Sequence, residues 1–244
     1  MINNYIALDI ETSGLNPASD KIIEIGMAKV IDGRIEDKYS CLINPQEMIS
    51  ERITQLTGIT QQMLNDKPVI NDVIFEIIDF MQELPILGHN VIFDYSFIKK
   101  AAVNNNIKFE RQGIDTLKLA RRLLPEVEHK NLEYLCRYFN IDAGNSHRAY
   151  DDAVSAIKLF NALYCIKPDD NGFDELITLN YQVKKDSPIT QAQKRYLLSL
   201  IEKHGIILAQ DVEALTKSKA SKLIDGIIGP VSYTHLTLPT ICSV

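Results

Sequence analysis

The spacing of apolar residues predicts three consecutive strands at the N-terminal end of the chain. Apolar and polar residues alternate over residues 5–12, as in a strand with one buried face. A second strand over 21–31 runs into Asp32-Gly33, a dipeptide typical of two-residue hairpin turns, and a third strand follows over 34–43. Short connections of this kind predict an antiparallel meander.

The following region shows helical spacing interrupted by short apolar strands. Apolar residues recur every three or four positions over 69–84, which predicts an amphipathic helix. Short strands are predicted at 85–90 and 113–117, and each runs directly into a helix. Further helices are predicted over 131–139 and from 149 to about 164. The pattern as a whole indicates an α/β domain.

Two carboxylates lie on the same side of the first strand. Asp9 and Glu11 are separated by one apolar residue, and alternate residues of a strand point to the same face. Like charges at this spacing repel each other unless they bind a cation or are solvated. These two residues alone leave both interpretations open.

Three further residues stand at the ends of predicted elements. Asp94 lies in the first turn of the helix that follows strand 85–90, where the helix macrodipole favours any acid. His147 and Asp152 stand at the start of the helix that begins near residue 149. A single histidine is more often structural than catalytic, so only its fixed distance from Asp152 favours a functional interpretation.

Together these residues carry a resemblance. Asp9-x-Glu11, His89-Asn90-x-x-Phe93-Asp94 and His147-x-x-x-x-Asp152 resemble, in order and spacing, the three motifs of the DnaQ-like, DEDDh group of 3′-to-5′ exonucleases. The likeness covers about residues 4–164. A related group has tyrosine where Arg148 stands here, so the histidine version fits. The five-residue step from His147 selects Asp152 over the neighbouring Asp151.

The resemblance implies a fold, a metal site and a general base. The fold would be ribonuclease H-like, with a mixed five-stranded sheet flanked by helices. Two Mg²⁺ or Mn²⁺ ions would be bound by four catalytic carboxylates, namely Asp9, Glu11, Asp94 and Asp152. His147 would be the catalytic base that takes a proton from the attacking water.

The substrate contacts implied by the resemblance are Thr12, Ser13, Gly14, Leu15 and Asn90. Leu15 would wedge against a base, or alternatively anchor its loop in the core. Asn90 would orient the end of the bound strand, or alternatively cap the next helix. Six basic residues are candidates for backbone phosphate contacts or for solvated helix faces: Lys99, Lys100, Lys118, Arg121, Arg122 and Arg148.

The net charge of −6 does not exclude a nucleic-acid partner. The acidic excess lies in residues 1–166, and bound cations would reverse the local sign. By the resemblance, the predicted activity is 3′-to-5′ exonucleolysis of single-stranded or frayed DNA ends, releasing nucleoside 5′-monophosphates, and a DNA polymerase subunit is a candidate partner. Two alternatives stay open, namely an RNA exonuclease and a non-catalytic module that binds nucleic acid or a polymerase.

Four segments are expected along the chain: the exonuclease domain at 1–166, a linker at 167–188, a small helical hairpin appendage at 189–229 and a tail at 230–244. The tail reads like a translated sequencing adapter and is excluded from the functional interpretation. Apolar runs are too short to span a bilayer, so the prediction is a cytoplasmic protein without a membrane partner. Four scattered cysteines predict neither a disulfide framework nor a zinc site.

Overall fold

The computed structural model describes residues 1–144, 147–208 and 211–229. The chain divides into two compact units, one ending at Val183 and the other beginning at Lys184. All residues of the predicted site belong to the first unit. The predicted tail at 230–244 lies outside the described residues.

The first unit is built on a sheet of six strands. These are β1 Tyr5–Thr12, β2 Ile22–Ile31, β3 Arg34–Leu42, β4 Ile86–Gly88, β5 Gln112–Asp115 and β6 Ile177–Thr178. Their order across the sheet is β3-β2-β1-β4-β5-β6. The strands β1 to β3 form the predicted antiparallel meander, β4 and β5 run parallel to β1, and β6 is antiparallel to β5. Asp32 and Gly33 both have positive φ (50° and 76°), as a two-residue hairpin turn requires.

Nine α-helices occur in the described ranges. They are α1 Glu51–Thr57, α2 Gln61–Leu64, α3 Ile70–Met81, α4 Ile92–Asn104, α5 Thr116–Leu123, α6 Leu132–Tyr138, α7 Ala149–Ile166, α8 Gln191–His204 and α9 Lys217–Ile228. Several begin at a side-chain cap, since Thr60, Asp115 and Asn131 each accept a hydrogen bond from a backbone N–H of the following turn.

The two faces of β1 pack against different helices. Ile6 and Leu8 are buried in a cluster with apolar residues of α3 and α4, whereas Ala7 is buried in a second cluster with α5 and α7. Because side chains alternate along a strand, Asp9 and Glu11 continue the face of Ala7. The carboxylates therefore lie beyond the buried part of the face that α7 covers.

The predicted α/β, ribonuclease H-like fold is confirmed, with one more strand than the five predicted. The sixth strand, Ile177–Thr178, lies in the stretch 167–188 that the sequence suggested as a linker. It pairs with Gln112 and Gly113 of β5, and the buried Phe173 before it packs against Phe160 and Tyr164 of α7. A two-residue strand leaves no periodic signal in the sequence, so only the tertiary pairing reveals it.

The second unit contains α8 and α9. Thr190 begins α8 with a reciprocal capping box to Gln193, and Gly205 ends it in the left-handed conformation. Gln193 also donates hydrogen bonds to the Lys217 carbonyl and the Ser221 hydroxyl of α9. The helical pair predicted for 189–229 is therefore present. None of the helices in the described ranges is long and apolar enough to cross a membrane.

Candidate active site

Asp9 and Glu11 stand near the carboxyl end of β1, at the centre of the sheet. Asp9 is in register with Gly26 of β2, and Glu11 is in register with Glu24. Both side chains are half-buried and line an open cleft. The central strand thus presents two carboxylates at the edge of the apolar core.

Asp94 reaches the same cleft from the neighbouring strand and helix. The strand β4 runs parallel to β1, so its carboxyl end lies beside that of β1, and α4 begins directly after it. The Ile10 N–H donates a hydrogen bond to Asp94 Oδ1 at 3.1 Å. Asp94 is only 4 % exposed, so this bond holds a buried carboxylate against β1.

His147 and Asp152 come from the start of α7. The His147 N–H donates to Asp152 Oδ2 at 2.9 Å. Ligand atoms of Glu11, His147 and Asp152 all lie within 4.8 Å of one another. Asp151 instead packs its side chain near Gly144, away from the residues that line the cleft. The structure therefore brings all five predicted catalytic residues to one cleft.

The pKa values of the four carboxyl groups are all raised above their ordinary values. Burial, followed by the negative charges of Asp94, Asp152 and Glu11, raises the pKa of Asp9 well above its ordinary value. Burial raises the pKa of Glu11 to about 8 and that of Asp94 to about 8. The pKa of Asp152 rises to about 6, again mainly through burial. This is the electrostatic state of a carboxylate cluster that lacks sufficient positive charge.

The carboxylates of the cleft are suitable ligands for hard divalent cations. Four carboxylates offer oxygen ligands, which Mg²⁺ and Mn²⁺ prefer, and no cysteine lines the cleft among the described residues. Cations placed between the carboxylates would remove the repulsion that raises their pKa values. The chemistry of the residues present therefore agrees with the metal site predicted from the sequence.

Of the five substrate-contact candidates, Asn90 lines the cleft, whereas Thr12, Ser13, Gly14 and Leu15 belong to the end of β1 and the turn that follows it. Thr12 Oγ1 donates to the Gly14 carbonyl at 2.7 Å, and Ser13 Oγ accepts from the Lys21 N–H at 2.9 Å. These bonds shape the turn that carries Leu15. Leu15 is 84 % exposed, so the alternative of a buried loop anchor is wrong.

Asn90 lines the cleft but does not cap α4. Its backbone has a positive φ of 75°, and its N–H donates to Asp115 Oδ1 at 3.1 Å. The cap position of α4 is Val91, which makes no side-chain cap bond. The cap alternative for Asn90 is therefore wrong, and its side chain remains a candidate for substrate contact.

Three of the six basic candidates bind other groups of this chain. Lys99 is 7 % exposed and donates to the Phe109 carbonyl. Arg122 forms an ion pair with Asp170, which follows the carboxyl end of α7. Arg148 binds Glu24. These contacts disfavour the phosphate role for Lys99, Arg122 and Arg148, although Arg122 is exposed on α5, as are Lys118 and Arg121.

Glu24 is a site residue that the sequence reasoning missed. It is 1 % exposed on β2, next to Glu11, and accepts hydrogen bonds from the Arg148 side chain and the Ala149 N–H. Its signal was a single acid inside the apolar run Ile22-Ile23-Glu24-Ile25. An acid in such a run is rarely buried without a partner.

A mixed sheet of this order, flanked by helices, gives the chain a ribonuclease H-like architecture, with an acidic cluster at the ends of β1 and β4. The chain belongs to the Exonuclease family (RNase_T), whose model matches residues 6–160. The resemblance to DnaQ-like exonucleases is therefore confirmed.

Relatives named DNA polymerase III PolC-type share this region. The one from Clostridium perfringens is 31 % identical over 198 residues, covering 81 % of this chain. The one from Thermotoga petrophila is 41 % identical over 160 residues, covering 64 % of this chain. The matches span only 14 % and 11 % of the lengths of these two relatives.

Two solved structures show the same fold. E. coli exonuclease I in complex with a dA16 oligonucleotide has a TM-score of 0.60 at 21 % identity, covering 71 % of this chain and 42 % of that protein. Exonuclease X in complex with 5′ overhanging duplex DNA has a TM-score of 0.51 at 28 % identity, covering 67 % of this chain and 92 % of that protein.

Proposed function

We propose that this protein is a metal-dependent 3′-to-5′ exonuclease that hydrolyses phosphodiester bonds at DNA 3′ ends and releases nucleoside 5′-monophosphates. The observation that supports this most is the convergence of four carboxylates and His147 in one cleft. Such a cluster offers the oxygen ligands that Mg²⁺ and Mn²⁺ prefer.

Asp9, Glu11, Asp94 and Asp152 would bind two Mg²⁺ or Mn²⁺ ions. Bound there, the ions would supply Lewis-acid activation and neutralise the charge that develops on the phosphoryl oxygens. The residues of the chain hold the site in shape: the backbone of Ile10 positions Asp94, and the backbone of His147 positions Asp152.

His147 would act as the general base. A nitrogen of its ring lies within 4.8 Å of carboxylate oxygens of Glu11 and Asp152, and the residue lines the cleft. A neutral imidazole accepts a proton from that water and passes it to solvent. The exposed Leu15 would wedge against the terminal base, and Thr12, Ser13, Gly14 and Asn90 would contact the terminal nucleotide.

DNA is the favoured substrate because the relatives are named as DNA polymerases and the solved neighbours are exonucleases in complex with DNA. A proofreading role with a polymerase partner fits the PolC-type relatives, of which this chain spans about an eighth of the length. Frayed or single-stranded 3′ ends suit such a cleft because an unpaired base is easier to unstack.

The proposal is tested with 5′-labelled single-stranded DNA and RNA of identical sequence, incubated with Mn²⁺. We expect a ladder that shortens from the 3′ end of the DNA. The ladder disappears with chelator and in the Asp9→Ala variant, because both remove the metal site. The ratio of DNA to RNA rates separates the DNA exonuclease from an RNA exonuclease.

Two other outcomes would overturn the proposal. Intact strands that are nevertheless retarded in a gel would identify a non-catalytic binding module. A faster ladder on RNA than on DNA would assign the same chemistry to RNA ends.

A further inference from the structure

Glu24 is a buried carboxylate that the proposed chemistry does not use. It lies on β2 directly opposite Glu11 and is 1 % exposed. Arg148 Nη2 donates to Glu24 Oε1 at 2.7 Å, Arg148 Nε donates to both oxygens at 3.1 and 3.2 Å, and the Ala149 N–H donates to Oε2 at 3.1 Å. Both oxygens of Glu24 are therefore engaged by the residues that open α7.

Burying Glu24 beside an acidic cluster is energetically unfavourable. A buried carboxylate requires several hydrogen bonds or a cation to offset its loss of hydration, and Glu24 adds a further negative charge next to Glu11. A plain apolar residue at this position would avoid both costs. The contact therefore calls for a reason beyond the stability of the sheet.

The partner of Glu24 lies immediately after His147. His147 has a φ of +65°, in the left-handed region that few residues other than glycine adopt and in which histidine, asparagine and aspartate are enriched. On one side its own N–H is held by Asp152 Oδ2, and on the other side the next residue, Arg148, is held by Glu24. Two carboxylates on different elements thus hold the backbone on either side of the proposed base.

Close packing beside the pair restricts the same segment further. A Cβ at Gly26 would lie 2.0 Å from the Tyr150 nitrogen and 2.2 Å from the Ala149 carbonyl carbon. Only glycine at this position on β2 lets the start of α7 press against the sheet. The absence of a side chain at Gly26 therefore allows the first turn of α7 to lie close to β2, and the hydrogen bonds to Glu24 hold the residues that begin this turn.

We propose that Glu24 and Arg148 form a positioning pair that aims the imidazole of His147 at the attacking water; this inference rests on the proposed function. Arg148 acts through His147 and touches neither substrate nor reacting atoms. This differs from the phosphate role suggested by the sequence, because the guanidinium donates three hydrogen bonds to Glu24.

The test is a double-mutant cycle with Arg148→Gln and His147→Ala, measured on single-stranded DNA with Mn²⁺. We expect Arg148→Gln alone to lower kcat by about 10-fold to 100-fold, the scale that follows from misplacing a catalytic group by about 1 Å. KM and the Mn²⁺ affinity stay within about twofold. In the His147→Ala background the same substitution changes kcat by less than about twofold, because the group it positions is absent.

Milder variants and a matched control accompany the cycle. Arg148→Lys keeps one donor and should recover part of the rate, and Glu24→Gln, which keeps one carbonyl acceptor, should reproduce the loss of Arg148→Gln. Arg122→Gln breaks the Arg122–Asp170 ion pair, which lies beyond the carboxyl end of α7, and should leave kcat unchanged. Circular dichroism verifies that each variant is folded.

A readout without catalysis separates this inference from the proposed function. At constant pH, Arg148→Gln should shift the imidazole NMR resonances of His147 in the metal-free protein, whereas Arg122→Gln should not. If the native protein proves inactive, the proposed function fails, and this shift still decides whether Arg148 positions His147.

Three outcomes would overturn the inference. Equal losses in the presence and absence of His147 would show that Arg148 acts independently of it. A rise in KM with unchanged kcat would assign Arg148 to substrate binding. Unchanged His147 resonances in Arg148→Gln would show that the pair supports only the fold.

Discussion

Helix α4 carries two buried ionisable side chains, Asp94 and Lys99, which differ in whether an oppositely charged group of the chain compensates them. Asp94, in its first turn, has a pKa raised to about 8, mainly by burial, and it lies among other acids. Lys99, five residues further on, donates to the Phe109 carbonyl at 2.5 Å and forms an ion pair with Glu110. The pKa of Glu110 is lowered by the hydrogen bond from Lys99.

The difference separates Lys99, whose charge is compensated within the chain, from Asp94, which we propose binds a metal ion. Lys99 is matched within the chain, so its burial is compensated as soon as the protein folds. Asp94 receives a backbone hydrogen bond from Ile10 but shares its cleft with the carboxylates of Asp9, Glu11 and Asp152. A cluster of this kind destabilises the folded chain until an external cation compensates it. One helix therefore contributes both a rigid anchor and a binding group.

The largest effect that would sharpen this comparison is expected for Asp94→Asn. The amide oxygen can still accept the Ile10 N–H, but the charge for metal binding is lost. We expect exonuclease turnover to fall by about 10³-fold or more, the order of a lost metal contribution of several kcal/mol. Metal-free stability at pH 8 should rise, because mutual repulsion decreases. Single-turnover kinetics and thermal melts in chelator measure the two effects.

The control for this variant is Asp72→Asn. Asp72 is an exposed acid in the first turn of α3, so it occupies the same helical position without the acidic neighbours. It should leave turnover unchanged and lower stability by no more than a macrodipole contribution of about 0.5 kcal/mol. If Asp94→Asn instead destabilised the metal-free protein more than Asp72→Asn, the carboxylate would be structural.

Lys99→Met should give the opposite pattern. Methionine keeps the apolar stem but removes the cation that binds the Phe109 carbonyl and Glu110. We expect a loss of about 1 to 3 kcal/mol in the free energy of unfolding, as for other hydrogen bonds to charged groups. Turnover at saturating Mn²⁺ should stay within about twofold. Urea denaturation and the DNA ladder assay test this, and a turnover loss as large as that of Asp94→Asn would erase the distinction between the two groups.

A test that needs no substitution is the pH dependence of stability in the metal-free protein. Glu11 and Asp94 have folded-state pKa values of about 8, above the ordinary values of 4.5 and 3.8. Between those limits the folded state binds more protons than the unfolded state, so the free energy of unfolding decreases as pH rises from about 4 to about 8. Saturating Mg²⁺ should flatten the decrease. Melting temperatures across this range measure the slope, and a stability that increases with pH in chelator would contradict the assigned shifts.

The sequence alone predicted the candidate site residues and most of the fold. Motif spacing identified Asp9, Glu11, Asp94, His147 and Asp152, and the structure brings them into one cleft. Apolar alternation and the Asp32-Gly33 turn predicted the meander correctly. Local signals suffice here because strand alternation, turn residues and helix caps depend on neighbours within a few positions.

Only the tertiary structure decided how these parts meet. The pairing of β6 with β5 and the contact between Glu24 and Arg148 each join residues that are distant in the sequence. The exposure of Leu15 likewise depends on which elements surround its turn in the folded protein. Glu24 and Arg148 are separated by 124 positions, so neither carries a local signal of the other. Sequence patterns report which face of an element is apolar, whereas burial and pairing depend on which elements the completed fold places side by side.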